Sequence, residues 1–397
     1  IKKYVLCKRR IYIFFVCIIL AVIHNIISMK LLTYQTFSIY SNGGGSRILR
    51  RLFKNHEENT ISIALVERKK NIIDNPIKEY QIEQIFPKKR WMKWHIKNIF
   101  FYIRNKLKFT TKYILIKQIN DIEYDILHIV DHGDFPNLLT QLRINKKIWV
   151  SFHDHFLTSG GNFYDSKQLW TLADRRIVIS EELGNYYQSI FGILPYEIIT
   201  DGLNLDEIFT PNTQQINHKI VIYFGGLLHI DYLPLFQSLA DALDILSSPQ
   251  YNFKFKLVLR GTQNIDWLEN RCFELEYRSF TINNSDLKKD ITEANILYFP
   301  IKFNNPYFYL YSMSTKMIGY LGAPGTILYH GPVDSAANKL LTSFQSCVSC
   351  TTLDKNDMIN CILESIQNGA QFSFNAKKLA RQKFNLEAIK RSFWLES

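Results

Sequence analysis

Short apolar, β-branched runs alternate along this chain with longer segments whose apolar residues recur at helical spacing. Runs of that first kind read as strands at 31–34, 61–66, 126–130, 148–152, 176–180 and 197–200. The pattern then breaks at 209–218, which is polar, contains Pro211 and has no apolar period, as an interdomain linker would. Beyond it the alternation restarts, with strands at 220–224, 256–259, 296–299 and 326–329, helices at 232–246 and 358–368, and an amphipathic helix at 376–395. Two successive βαβ blocks predict an α/β protein of two Rossmann-like domains facing each other across a cleft. The expected division is a hydrophobic extension at 1–28, an N-terminal domain at 29–208, the linker at 209–218, a C-terminal domain at 219–375 and a closing helix at 376–397.

Composition fits two cores: of 397 residues 47% are hydrophobic and 21% charged, which excludes a mainly disordered chain. Six cysteines are too few for a disulfide framework and fit a reducing compartment. The net charge of +12 is concentrated in two places. Residues 1–28 carry Lys2, Lys3, Lys8, Arg9 and Arg10 ahead of an apolar run from Ile11 to Ile23, with no acid. That run falls short of the roughly 20 residues a membrane helix needs. Met29 therefore reads as the natural start and the extension as translated upstream sequence, a weak anchor being the alternative. The second basic segment, 88–117, interleaves Lys88, Lys89, Arg90, Lys93 and Lys97 with Trp91 and Trp94. Cations beside amphipathic rings suit an anionic membrane surface, which predicts a cytoplasmic protein peripheral to the inner face of the membrane. A strand of nucleic acid would suit the same residues, but no other part of the chain reads as a nucleic-acid module, so none is expected as a partner. A solvated helix with its aromatic side in the core is the plainer reading.

Two strand–glycine–helix junctions hold the candidate chemistry. Gly43, Gly44 and Gly45 follow the first strand, where glycine allows close backbone approach and a helix N-terminus offers N–H groups to an anion. Ile48 stands where a dinucleotide fingerprint would need glycine. Gly225 and Gly226 end the first strand of the second block, at the usual ligand edge of an open α/β sheet. Four histidines, His128, His132, His153 and His155, cluster near the ends of two strands. His128 lies inside its strand and reads as a core residue, whereas His153 and Asp154 should face the cleft and suit proton transfer. Spacing gives no metal site. Cys347 and Cys350 read as structural thiols.

In their order these pieces resemble GT-B-fold glycosyltransferases, particularly the family-four enzymes of bacterial surface-polysaccharide synthesis. The triple-glycine loop, His153–Asp154, the turn at Asp201-Gly-Leu-Asn204, Gly225–Gly226, Arg260–Gly261 and Ser314-Thr-Lys-Met-Ile-Gly-Tyr-Leu321 carry the resemblance. It implies an enzyme that moves a sugar, with retention of configuration, from a UDP- or GDP-linked donor to a lipid-linked or cell-surface glycan. Helix N-termini with Lys316 and Arg260 can meet the leaving charge, so no metal or other cofactor is expected. The donor would lie on Gly225, Gly226, Ser314, Thr315 and Lys316, the transferred sugar on His153, and donor phosphate or acceptor on the Gly43–Gly45 loop. Arg260, at a strand end on the cleft edge, would serve with Lys316 as a surrogate cation for the phosphates. Four family positions differ, one being the donor-domain lysine, which has no clear counterpart near His229 to Asp231. The donor-domain arginine falls on Gly226, and the two acids of the E-x7-E element fall near Tyr311 and at Gly319. A non-catalytic partner subunit, or a nucleotide-sugar epimerase on the same fold, are the alternatives those departures leave open.

Overall fold

The computed structural model describes residues 29–66, 69, 75–83, 111–132, 146–212, 219–226, 228, 230–251, 253–281 and 284–395. The 1–28 extension, the basic–aromatic residues Lys88, Lys89, Arg90, Trp91, Lys93, Trp94 and Lys97, and linker residues 213–218 lie outside them.

Seven parallel strands form the first sheet in the order β3-β2-β1-β4-β5-β6-β7. They are β1 (Leu31–Gln35), β2 (Thr60–Val66), β3 (Lys78–Glu83), β4 (Ile126–Asp131), β5 (Lys147–Phe152), β6 (Arg175–Val178) and β7 (Glu197–Ile198). Helices of this lobe are α1 (Gly44–Phe53), α2 (111–120), α3 (Phe156–Ser159), α4 (Phe163–Leu172) and α5 (Glu181–Phe191). A second parallel sheet has the order β10-β9-β8-β11-β12-β13. Its strands are β8 (Lys219–Gly225), β9 (Lys254–Arg260), β10 (Glu274–Arg278), β11 (Ile296–Pro300), β12 (Thr326–His330) and β13 (Val348–Cys350). Around it lie α6 (Leu233–Leu246), α7 (Asn284–Glu293), α8 (Pro306–Tyr309), α9 (Thr315–Gly322), α10 (Ala336–Ser343) and α11 (Lys355–Lys383), and α12 (Leu386–Trp394) follows.

Both sheets are covered on both faces, which is why their central strands read as near-continuous apolar runs. Alternation along β8 divides the burial. Ile220, Ile222 and Phe224 pack with α6, while Tyr223 joins a cluster that runs through α9 into the first lobe. Each sheet reverses direction once, between β1 and β4 and between β8 and β11, and ligands of open parallel sheets sit beyond the strand ends at such a point. The glycine junctions after β1 and β8 occupy those two places.

The expected strands are present, and three more were not expected. β3, β10 and β13 are edge strands. β3, Lys-Glu-Tyr-Gln-Ile-Glu, and β10, Glu-Leu-Glu-Tyr-Arg, meet water on one side and carry the charges of an edge, whereas β13, Val-Ser-Cys, is uncharged and only three residues long. At the C-terminus two helices replace the single one read from 376–395. α11 runs unbroken to Lys383, and Asn385 then caps α12 by accepting from the Ala388 N–H. α12 returns to the first lobe. Trp394 Nε1 donates to the Leu52 carbonyl at 2.8 Å, and Phe393 packs on Phe53 and Trp149. The outgoing and returning passes of the chain run side by side. The Leu203 N–H donates to Phe384 and the Leu386 N–H to Leu203. Among the described residues no helix is long and apolar enough to cross a membrane.

Candidate active site

Two helices point their N-termini at each other across the cleft. α1 begins inside the glycine run, at Gly44, with Gly43 as an N-cap that offers no side-chain acceptor. The first N–H groups of a helix have no intrahelical partner, so those of α1 are left to whatever enters the cleft. The loop is braced from behind: Ser46 Oγ donates to the Ser38 carbonyl at 2.8 Å and Arg50 Nη1 to Ser41 at 2.8 Å. Arg47 Nε lies 2.7 Å from the buried Asp201 carboxylate, which ties the body of α1 to the Asp201–Asn204 turn. Opposite, α9 starts at Thr315 after its N-cap Ser314, whose Oγ accepts from the Lys316 N–H at 3.2 Å. A β-carbon on Gly44 would stand 3.2 Å from Thr315 Oγ1, and one on Gly45 would stand 2.8 Å from Phe37 Cζ and 3.2 Å from His153 Nδ1. Glycine is what lets the two helix ends and His153 converge.

His153 follows β5 and is 5% exposed. Burial, helped by His132, lowers it to about 4, so the ring is neutral at physiological pH. Its Nδ1 is buried without a hydrogen-bond partner. Such an atom beside a cleft is a vacant place for a ligand hydroxyl. Asp154 makes a contact between the lobes, accepting from Ser312 Oγ at 2.6 Å, and its other oxygen lies 3.4 Å from His132 Nδ1. His128 behaves as a core residue: Nδ1 meets Thr33 Oγ1 at 3.0 Å, Nε2 meets Ser151 Oγ at 2.7 Å, and burial lowers it to about 3.

Beside α9 the β8 strand ends in Gly225 and Gly226. The Gly225 N–H donates to Tyr320 Oη at 3.2 Å, and Gly226 holds φ at +131°. A β-carbon on Gly226 would come within 3.0 Å of Lys316 Nζ. That amine sits 4.0 Å from the centre of the Phe224 ring, and burial lowers it to about 7. Arg260 is a different case from its sequence reading as a phosphate-binding cation. Its Nε and Nη2 both bind Asp290, whose carboxylate is buried, and Nη1 donates to the Ser279 carbonyl. Arg278 shares the same Asp290. The guanidinium is committed to holding β9, β10 and α7 together, and Lys316 is left as the cation beside the glycine pair.

The structure thus brings together Gly43–Gly45, His153, Asp154, Ser314–Lys316 and Gly225–Gly226, and sets Arg260 apart. Sequence reasoning missed Ser312, Phe224 and an aromatic clasp between the lobes. In the clasp His155 stacks on Tyr307 at 4.6 Å, Tyr186 stacks on Tyr311 at 4.6 Å, and Ser180 Oγ donates to the Tyr311 carbonyl at 2.6 Å. Only the tyrosine spacing around Pro306 offered a hint of it. Cys347 and Cys350 are buried thiols, as their sequence reading expected. Among the described residues no group of three or more His, Cys, Asp or Glu side chains is arranged to hold a metal ion.

Neither protein-family models nor curated proteins give a match to this chain. Solved structures do. A structure of Anabaena HepE in complex with UDP and glucose superposes with a TM-score of 0.61 over 92% of this chain and 98% of its own, at 13% identity. An Escherichia coli structure described as trehalose-6-phosphate bound with UDP-2-fluoro glucose gives 0.64 over 92% and 98%, at 11% identity. The UDP-forming α,α-trehalose-phosphate synthase of Burkholderia vietnamiensis gives 0.63 over 93% and 99%, at 9% identity. The fold is GT-B. In GT-B terms the glycine junction after β1 belongs to the N-terminal lobe, β8 and α9 to the C-terminal lobe, and the convergence of α1 with α9 is the interlobe cleft.

Proposed function

We propose that the chain is a glycosyltransferase that takes a sugar from a nucleotide-diphosphate donor and transfers it to a lipid-linked or cell-surface glycan, with retention of configuration. The observation that carries this reading is the meeting of two helix N-termini with Lys316 and His153 in one GT-B cleft. Two positive helix ends and a buried amine make a site for an anion of more than one charge. A diphosphate is such an anion, and UDP and glucose are what the HepE structure holds. UDP is accordingly the first nucleotide to try, with GDP second.

Transfer breaks the bond between the sugar's anomeric carbon and the diphosphate, and the electron pair goes to the phosphate oxygen. The charge that grows there is met by the N–H groups of Gly44, Gly45 and Thr315 and by the Lys316 ammonium, all fixed before reaction. These groups offset the charge in the place a divalent ion would take, so turnover should survive chelation. His153, neutral and with Nδ1 vacant, is suited to accept from a hydroxyl of the transferred sugar. Asp154 is held between Ser312 and His132, which suits it to register closure of the lobes as well as to face the acceptor. Peripheral attachment to an anionic membrane through Lys88, Lys89, Arg90, Trp91, Lys93, Trp94 and Lys97 would bring the enzyme to a lipid-linked acceptor.

The test is nucleotide release across UDP- and GDP-sugars, with and without EDTA and with lipid-linked acceptor fractions. Acceptor-dependent release of UDP or GDP in EDTA is the expected result. Nucleotide binding without turnover would point to a non-catalytic partner subunit. That reading is favoured by Gly319, where a β-carbon would face open space and no acid stands. Release of nucleotide and free sugar with no acceptor would point to an epimerase. Absence of nucleotide binding would overturn the proposal. Reversing the charge of the five cations from Lys88 to Lys97 should move the protein from liposomes to the supernatant in a sedimentation assay.

A further inference from the structure

Burial at the cleft opposes the positive charge of Lys316, and the face of the Phe224 ring offsets that only in part. Its Nζ faces the Phe224 ring at 4.0 Å and the backbone of Gly226. Its residue lies in the first turn of α9, where unpaired N–H groups already place partial positive charge and a cation is unfavourable. The titratable and charged groups the structure places near this point include Tyr223 on β8 and Tyr320 on α9, Arg260 on β9 and Asp290 on α7 beside Tyr223, and, across the cleft, His153 with Asp154 after β5. The acids among them are engaged elsewhere: Asp290 with Arg260 and Arg278, Asp154 with Ser312 and His132. Burial raises Tyr223 and Tyr320, so both phenols stay neutral. Among the described residues no carboxylate forms an ion pair with Lys316, and burial is the sole cause that brings its amine to about 7. A diphosphate placed between the two helix ends would supply the missing counter-charge and restore the ammonium.

We propose that Lys316 is in part uncharged in the free cleft and takes a proton from solvent when a nucleotide diphosphate enters, so that donor binding and product release are each coupled to a proton. The proton moves from buffer to the Nζ lone pair as the anion binds, and returns to buffer when the diphosphate leaves. This inference rests on the diphosphate reading of the cleft and adds a property to it. Lys316 is then both the cation that meets the leaving group and the reason that affinity depends on pH.

UDP binding to the full chain, followed by isothermal titration calorimetry at pH 8 in buffers of different ionisation enthalpy such as HEPES and Tris, tests it. The apparent binding enthalpy should differ between the buffers in proportion to the uptake of nearly a full proton per UDP. Between about pH 7.7 and 8.5, above the titration of the diphosphate and below that of the uracil N3–H, affinity should weaken with a slope approaching tenfold per pH unit, the slope for one linked proton. Lys316→Gln should bind more weakly at pH 7 with neither buffer dependence nor pH slope. Lys316→Arg, charged throughout, should bind with a flat profile across the same range. Wild-type protein that binds UDP with identical enthalpy in both buffers and a flat profile would overturn the proton coupling and leave the diphosphate site standing. Failure of UDP, GDP and inorganic pyrophosphate alike to bind would overturn the diphosphate reading and the coupling with it.

Discussion

Gly45 shows how little room the cleft leaves for a side chain. A single methyl there would meet Phe37 and His153 at once. Gly45→Ala is expected to cost about 1–3 kcal/mol of stability through overpacking and to reduce turnover, read as a lower urea midpoint and slower nucleotide release. The histidines set a pH limit. Burial lowers His128 to about 3 and His153, His155 and His330 to about 4. An unfolded histidine protonates near 6.5 while these stay neutral, so the unfolded chain binds more protons between those values. Stability contributed by the neutral rings is full above about pH 6.5 and is lost as pH falls toward 4. Asp131, raised by burial to about 6, gives a smaller opposing contribution. The melting temperature measured from pH 7.5 to 4.5 should therefore fall on the acid side. At this scale the sequence was informative where a residue's role depends on its immediate neighbours. His128 inside a strand and His153 after one were separable by position alone. Arg260 was not, because its partner Asp290 lies on α7, brought near only by the fold.

The same distinction between near and distant partners governs the elements. Central strands announced themselves because both faces are buried, so every residue had to be apolar or paired. β3 and β10 sit at sheet edges and wear charges, and β13, also at an edge, is an uncharged strand of three residues too short to show a period. On β10 those charges are organised: Arg278 reaches Glu276 and Asp290, and Glu274 and Glu276 meet Lys256 on β9. Asp290 is the node, fully buried while its two arginines are partly exposed. Asp290→Asn would leave both guanidiniums undercompensated and is expected to cost about 3–5 kcal/mol, read by urea unfolding. The first turn of α9 should loosen less than the β9–β10 edge, which hydrogen exchange would resolve.

Across the whole molecule, the two lobes are joined by the parallel passes at 203 and 385, by Asp154 with Ser312, and by the stacked rings of His155, Tyr186, Tyr307 and Tyr311. Asp154→Ala removes the first of the side-chain links and is expected to enlarge the radius of gyration of the free protein in small-angle X-ray scattering. A matching change on UDP binding would be reversed. Two α/β blocks were legible from the repeated strand–helix alternation. Their closure was not, since it depends on isolated residues such as Ser312 and Tyr311 that carry no periodic signal. Nor was the return of α12, whose Trp394 and Phe393 read as one apolar stripe among many.

That return makes the first lobe depend on residues synthesised long after it. Phe53 and Trp149 gain the Phe393 ring, and the Leu52 carbonyl its Trp394 donor, only when those residues arrive. A ribosome translating this chain would hold an N-terminal lobe with an uncovered aromatic face until Leu386–Trp394 had been made, a state exposed to aggregation and to chaperones. Removing the final helix, or Trp394→Ala with its loss of about 3–5 kcal/mol, would prolong that state indefinitely. Yield of soluble protein, more than activity, is where such a truncation would first be felt.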